Sequence, residues 1–368
     1  MSERSSGIRV DPCLSVVNSS PSVVRVAVGM SGGIDSSVAA ALLAGQGYEV
    51  IGLTLHMFKE GSRCCSLEDV NRARKVCDHL GIRHYVMNVV DAFRDAIIKP
   101  WADAYARGRT PNPCILCNRH FKFGALMTRA EQLGCSFVAT GHYVRLDRRN
   151  DGPHLLRGVD PLKDQSYFLH RLTRGQLEKC LFPLGDMTKA EVKAYAATHS
   201  VPVEGHRETT DLCFIHDDGP APVVEQFHPE LVRQGPILDT NGKVLGEHRG
   251  FHRYTIGQRD GLRFAAGRRV YVKEVRPADN AVVVADRNEL MREDFLVEEP
   301  HWILGEPQLP ADLTVRIRYR TAAVAARVSR LDNGSLLVEL SLPQFAVTPG
   351  QAAVFQQGDE VLGGGWIM

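Results

Sequence analysis

The chain reads as an α/β protein in which a doubly wound parallel-sheet domain is followed by a small β-rich middle domain and a C-terminal β-barrel-like domain. Short β-branched runs alternate with helical stretches three times between Val23 and Val90. After about Phe214 helical periodicity gives way to Gly, Pro and alternating segments. With 368 residues, 44% of them hydrophobic, the chain has length for two or three cored domains of about 100–200 residues each.

Residues 1–22 are polar, carry Glu3 and Asp11, and lack the apolar stretch of a secretory signal, so they read as a flexible extension. Val23–Val28 is a buried parallel strand, followed by a helix from Ser36 to about Leu43. Val50–Leu55 is the second strand, Ser66–Leu80 an amphipathic helix with capping-box spacing between Ser66 and Asp69, and Tyr85–Val90 the third strand. A helix over Cys114–Gln132, a strand at Phe137–Thr140 and a helical segment at Lys189–Thr198 complete a catalytic domain over 23–214, with its ligand at the carboxyl ends of the strands. Residues 215–287 form the middle domain, where Arg269–Val275 and Ala281–Ala285 read as a hairpin. Residues 288–368 form the barrel, with strands at Thr314–Arg320, Ala323–Arg330, Ser335–Leu340 and Ala352–Phe355.

Composition excludes a disordered chain, and no apolar run approaches the roughly 18 residues of a membrane span. Forty-four Lys and Arg against 43 Asp and Glu leave a net charge of +1, so any nucleic-acid surface must be a local patch. Nine unevenly spaced cysteines fit reduced thiols in a cytoplasmic protein better than a disulfide framework.

Two motifs carry chemistry. Directly after the first strand stand Gly29, Met30, Ser31, Gly32, Gly33, Ile34, Asp35 and Ser36. Paired glycines let backbone N–H groups approach an anion, Ser31 and Ser36 add hydroxyls, and the following helix points its positive end at the same spot. The loop lacks the Lys-Ser/Thr ending of a Walker loop, and Asp35 suits a Mg²⁺ bridging phosphates. A plain glycine turn with Ser and Asp caps is the alternative; the order strand, glycines, helix favours the phosphate cradle. Further on, two prolines precede a helix whose first turn carries Cys114 and Cys117 at i,i+3, where the helix N-terminus favours thiolate. Cys213 is a third candidate that only folding brings near. A zinc site, with His120 as a further ligand, or a thioredoxin-like pair compete with sulfur chemistry here.

The loop SGGIDSS resembles the signature of the ATP pyrophosphatase (PP-loop) superfamily, whose members cleave ATP between the α and β phosphates. SGGIDSS, TPNPCILCN, ATGHYVRL, KDQSYFLHRL, DLCFI, IGQRDGL, RYR and VTPGQAAVF occur in the order found in tRNA-specific 2-thiouridylases of the MnmA type. The resemblance runs from about Val24 to the carboxyl terminus. It implies ATP-dependent adenylation of C2 of the wobble uridine of tRNA and replacement of its oxygen by sulfur, releasing AMP and pyrophosphate. A sulfur donor is implied: a cysteine desulfurase, a relay protein or sulfide.

By motif, Gly29–Ser36, Met57 and Gly141 resemble the ATP site, and Asn112, Pro113 and Cys114 the face toward the target base. Cys117 resembles the cysteine that receives or withdraws sulfur, and Cys213 the one that carries a persulfide. His142, Lys163, Asp164, Gln165, Arg318, Tyr319 and Gln351 resemble tRNA contacts. Many members have Asp where this chain has Cys114. The cysteine form is associated with an oxygen-sensitive [4Fe–4S] cluster on Cys114, Cys117 and Cys213, which tilts the expected mechanism toward a cluster over a two-cysteine relay. Another adenylating PP-loop amidotransferase or ligase is the alternative activity, and it would need neither Cys117 nor Cys213.

Arg316, Arg318 and Arg320 alternate on the strand expected over Thr314–Arg320, so their guanidinium groups share one face for phosphates or solvent. A second basic stretch, His248–Arg269, offers either an RNA grip or a polar loop. Cys64 and Cys65 read as structural, and Cys77, Cys135 and Cys180 as small apolar residues.

Overall fold

The computed structural model describes residues 23–58, 67–203, 212–215, 218–262 and 268–368. The expectations for the extension, for Ser66 and for Cys13, Cys64 and Cys65 lie outside these.

The first domain holds β1 (Arg25–Gly29), β2 (Glu49–His56), β3 (Arg83–Asn88) and β4 (Phe137–Ala139). Val26 and Val28 of β1 face one core with Val38 and Leu42, while Ala27 between them faces a second with Ile51 and Leu53. Both faces are therefore covered, which is why the strand reads as an unbroken apolar run. The first core is closed by α1 (Ile34–Gly45) and α2 (Leu67–His79). On the other side lie α3 (Lys99–Ala106) and a long helical run: α4 (Pro113–Cys117), a π-helical stretch Asn118–Ala125, and α5 (Leu126–Gln132).

A hairpin, β5 (Val144–Arg149) and β6 (Gly152–Arg157), follows. The short β7 (Cys180–Leu181) then returns to the first sheet, giving the parallel order β3-β2-β1-β4-β7. The chain switches sides between β1 and β4, so the loop after β1 sits at the crevice where doubly wound sheets bind ligands. Helix α6 (Lys189–Thr198) is opened by a capping box between Thr188 and Glu191.

Helical structure does not end at Phe214 as expected: α7 (Ala221–Phe227), with proline in its first turn, packs on α3. At its end His228 Nε2 meets Asp103 of α3 at 2.8 Å. The middle sheet has order β10-β11-β8-β9, from β8 (Gly235–Leu238), β9 (Val244–His248), β10 (Tyr271–Arg276) and β11 (Ala281–Ala285), and β10 and β11 form the expected hairpin.

The last region is a closed antiparallel barrel. Its strands are β12 (Met291–Trp302), β13 (Ala311–Arg316), β14 (Val324–Arg330), β15 (Leu336–Phe345), β16 (Ala352–Gln357) and β17 (Glu360–Ile367), and pairing of β12 with β17 closes it. The β5–β6 hairpin of the first domain adds to this sheet through β17, joining the two regions by backbone hydrogen bonds. Tyr167 reinforces the joint, its buried hydroxyl donating to the Ala352 carbonyl at 2.9 Å.

The strand expected over Thr314–Arg320 ends at Arg316. Arg316 and Ile317 are both buried, so alternation fails there. The Arg316 guanidinium turns inward to Asp164 at 2.7 Å and to the carbonyl of Tyr319. The three arginines therefore do not share a face: Arg316 is buried, Arg318 half-buried and Arg320 exposed.

Candidate active site

The phosphate loop is built by close approach. Gly32 has φ +76°, and a Cβ there would lie 2.5 Å from the Asp69 carbonyl oxygen, so only glycine fits. A Cβ at Gly141 would lie 2.6 Å from the Asp35 backbone, so Gly141 lets the connection between β4 and β5 pack against the loop. Met30 is buried and pinned to β2, its N–H donating to the Leu53 carbonyl at 2.8 Å and its carbonyl accepting from Thr54 Oγ1 at 2.8 Å. The Ser31 N–H donates to Ser36 Oγ at 3.2 Å, and that hydroxyl donates to the Gly33 carbonyl at 3.0 Å. Gly33, the N-cap of α1, has no side chain over the helix end, which leaves the positive end of α1 open to an anion.

Asp35 accepts from Lys189 Nζ at 2.7 and 2.9 Å and from the Tyr143 hydroxyl at 2.6 Å. Sequence reading did not single out Lys189 or Tyr143. A signal existed for Lys189: a cation at the first position of a helix opposes the helix dipole, so its placement there calls for another reason.

Asn112 caps α4, its Oδ1 accepting from the Cys114 N–H at 3.1 Å, and Pro113 takes the first helical position. This sets Cys114, half-buried, and Cys117, buried, at the start of the helix as expected. Lys122, unremarked in the sequence, comes from the π-helical stretch, a geometry often found at functional sites. By contrast Cys77, Cys135 and Cys180 are buried thiols held protonated: burial raises all three, Cys77 to about 12.

One cavity of about 1380 Å³ brings these parts together. Ser31, Gly33, Ile34, Asp35 and Met57 line it from the nucleotide side, and Cys114, Cys117 and Cys213 line it with Asn112 and Pro113. Gly29, Met30, Gly32, Ser36 and Gly141 are not in its wall and instead shape the loop. Seven Lys or Arg side chains (Lys122, Arg157, Lys163, Lys189, Arg316, Arg318, Arg320) line it against two acids, Asp35 and Asp164. A chain of net charge +1 thus concentrates positive charge where a polyanion would enter.

The residues resembling tRNA contacts also line this cavity, yet several are engaged within the protein. Asp164 is buried and accepts from Arg316, from Arg157 Nε at 3.3 Å and from the Ser166 N–H at 3.1 Å. Gln165 Oε1 accepts from the Tyr143 N–H at 3.1 Å, Gln351 donates to the Thr110 carbonyl, and Arg318 donates to Thr348 Oγ1 at 2.7 Å. His142 is buried, with Nδ1 2.6 Å from Thr140 Oγ1 and its ring beside Phe123 and Phe182. Burial and nearby Lys122 push its pKa well below the usual histidine range, so the ring is neutral. In the second basic stretch His252 and Arg253 share Glu225, Arg259 pairs with Asp260 and Arg268 with Asp286, so these charges are largely matched. Arg263 lies outside the described residues.

Comparison with known proteins follows the same division. Residues 24–217 match the tRNA methyl transferase HUP domain, 223–286 the tRNA methyl transferase PRC-barrel domain, and 292–367 the aminomethyltransferase beta-barrel domain. The tRNA-specific 2-thiouridylase MnmA of Rhodospirillum centenum is 44% identical over 95% of this chain and 92% of its own length. That of Moorella thermoacetica is 45% identical over 92% and 98%. The chain belongs to the tRNA-specific 2-thiouridylase family. A solved U34-tRNA thiolase from Methanococcus maripaludis with its [4Fe-4S] cluster is 20% identical, with a TM-score of 0.34 over 56% of this chain and 67% of that one.

Within this member of the family, no three His, Cys, Asp or Glu side chains among the described residues are grouped to hold a metal ion. The three cysteines share a cavity, and among the described residues none of them is grouped with two other ligands around a single ion. Asp35 likewise has its carboxylate engaged by Lys189 and Tyr143. No described helix is long and apolar enough to cross a membrane.

Proposed function

We propose that this protein is an ATP-dependent tRNA-uridine 2-sulfurtransferase acting in the cytoplasm, and that the cavity shared by the phosphate loop and the three cysteines is where both half-reactions occur. That shared cavity carries the reading. A uracil carbonyl oxygen is a poor leaving group, and transfer of AMP to it makes it a good one; the activated base must then meet sulfur before water does. Sites for ATP and sulfur that open into one chamber meet that need.

The steps follow from the residues. ATP phosphates lie on the open end of α1 and the loop N–H groups, with Lys189 beside them. The C2 oxygen of the uridine attacks the α-phosphorus, the bond to the β-phosphate oxygen breaks, and pyrophosphate leaves. The outer sulfur of a Cys213 persulfide attacks C2, and AMP departs with the former uracil oxygen. Cys117 thiolate then attacks the Cys213 sulfur, releasing 2-thiouridine and leaving a Cys117–Cys213 disulfide that a thiol reductant resets. The persulfide sulfur arrives as sulfane sulfur, passed to the Cys213 thiolate from a persulfide of a cysteine desulfurase or relay protein, whose own cysteine leaves as thiolate. The neutral His142, with Asn112 and Pro113, forms the wall against which a base would rest.

These steps need only the cysteines themselves; a [4Fe–4S] cluster would be held by Cys114, Cys117 and Cys213, and Mg²⁺ by Asp35. Iron analysis of protein purified without oxygen tests the relay against the cluster. The relay predicts a colourless enzyme that thiolates tRNA; about four iron per chain, lost in Cys114→Ser, contradicts it.

The experiment for the function itself is Cys117→Ser. Loss of 2-thiouridine with ATP binding and pyrophosphate release retained is the expected result. Undiminished thiolation, or transfer of an amine in its place, overturns it.

A further inference from the structure

The mouth of the cavity carries an apolar side chain that no step above uses. Leu162 is 87% exposed, more than any other large hydrophobic side chain among the described residues, and alone among those exposed hydrophobics it lines the cavity. A single exposed leucine is ordinary on a protein surface. This one is distinguished by how firmly it is held. Its own N–H donates to Asp160 Oδ1 at 3.0 Å, and the Asp160 carbonyl accepts from the N–H groups of Lys163 and Asp164 at 3.1 and 2.9 Å. The other Asp160 carboxylate oxygen accepts from the Lys189 N–H at 2.9 Å, tying the turn to α6. Two residues on, Asp164 is locked to Arg316 and Arg157. The turn is thus fixed on both sides, and Pro161 before the leucine restricts it further.

A rigid turn that holds a leucine out in water at the lip of a basic cavity has one use that water-facing polar residues cannot serve. A base entering the cavity leaves a gap in its stack, and proteins that open stacks fill such gaps with an apolar wedge. We propose that Leu162 is that wedge: it enters the space vacated by the target uridine, or packs on the base beside it, and holds the anticodon loop open while Lys163 stands next to the backbone. It is a positioning residue, and the inference rests on the functional reading above.

The test uses an anticodon stem–loop RNA with 2-aminopurine beside the target uridine, whose fluorescence rises when it unstacks, and compares full-length wild type with Leu162→Ala and Leu162→Met. Because Leu162 is so exposed, melting temperature and ATP binding serve as controls and stay unchanged. The alanine variant is expected to lose most of the fluorescence rise and about tenfold in kcat/KM, equivalent to about 1.4 kcal/mol. Methionine is expected to restore both. A stem–loop with an abasic site next to the uridine, where little stacking has to be broken, is expected to bring Leu162→Ala to within about twofold of wild type. Equal fluorescence and equal kcat/KM for Leu162→Ala and wild type on the intact stem–loop overturn the wedge and leave the functional reading standing. A wild-type protein that neither binds nor thiolates the stem–loop overturns both.

Discussion

The two walls of the cavity are built on opposite principles. The phosphate-loop wall offers backbone and small side chains: glycines at close approach, two serines, the open end of α1, and one cation, Lys189, held against Asp35. The barrel wall offers large charged side chains, but its deepest charges face inward, with Arg316 on Asp164 and Arg318 on Thr348. The first wall, with its uncapped helix end and backbone donors, suits a small anion. The second uses its charge first to hold the barrel against the catalytic domain, and leaves Arg320 exposed at the rim.

This contrast predicts that substitutions on the barrel wall act on stability and those on the loop wall act on turnover. Asp164→Ala is expected to have the largest effect, about 3–5 kcal/mol of lost stability, because it strands the buried Arg316 charge; denaturant unfolding measures it. Lys189→Ala is expected to slow ATP-dependent pyrophosphate release by about 10²–10³-fold, the usual cost of removing one preorganised group at developing charge. Its affinity for the stem–loop should stay near wild type in a filter-binding assay. A Lys189→Ala protein that adenylates normally but loses RNA binding would erase the distinction between the walls.

Acid is expected to work next, and mainly at the joint. His170, fully buried beneath Gly364 of the barrel, is pushed down from 6.5 to about 3 by burial, and His142 is also depressed. A histidine depressed in the folded state takes its proton more readily when unfolded. Stability is therefore full above about pH 6.5 and falls as pH drops below it, toward about 3 for His170. The slope contributed is about 1.4 kcal/mol per pH unit per histidine, and melting temperature against pH, compared with His170→Gln, measures it. The smallest effect is expected at Arg320: alanine there should weaken stem–loop binding a few-fold and lower the salt exponent by about 0.7–0.9, with turnover at saturating RNA unchanged.

The same contrast governs what the sequence disclosed. The loop wall was legible because its parts are neighbours along the chain: strand, paired glycines and helix occupy Arg25–Gly45, and Asn112, Pro113 and Cys114 form a local cap. The barrel wall was not, because its partners are distant. Arg316 and Asp164 are 152 positions apart, and nothing in the alternation from Thr314 to Arg320 shows that the strand stops when Arg316 turns inward. The β5–β6 hairpin carries a local sign, Asn150-Asp151 before Gly152, but its alliance with β17 about two hundred residues later is purely tertiary. Lys189 fell between these cases: its helix was readable, its ion pair with Asp35 was not.

The central claim is that the uracil oxygen leaves on AMP from the cavity shared by the loop and the thiols. A stem–loop whose target uridine carries ¹⁸O at C2 tests it in one measurement, by mass analysis of the AMP released in a single turnover. The account predicts one ¹⁸O in the phosphate of AMP for each 2-thiouridine formed. 2-Thiouridine formed with unlabelled AMP, the label passing to water, would contradict it.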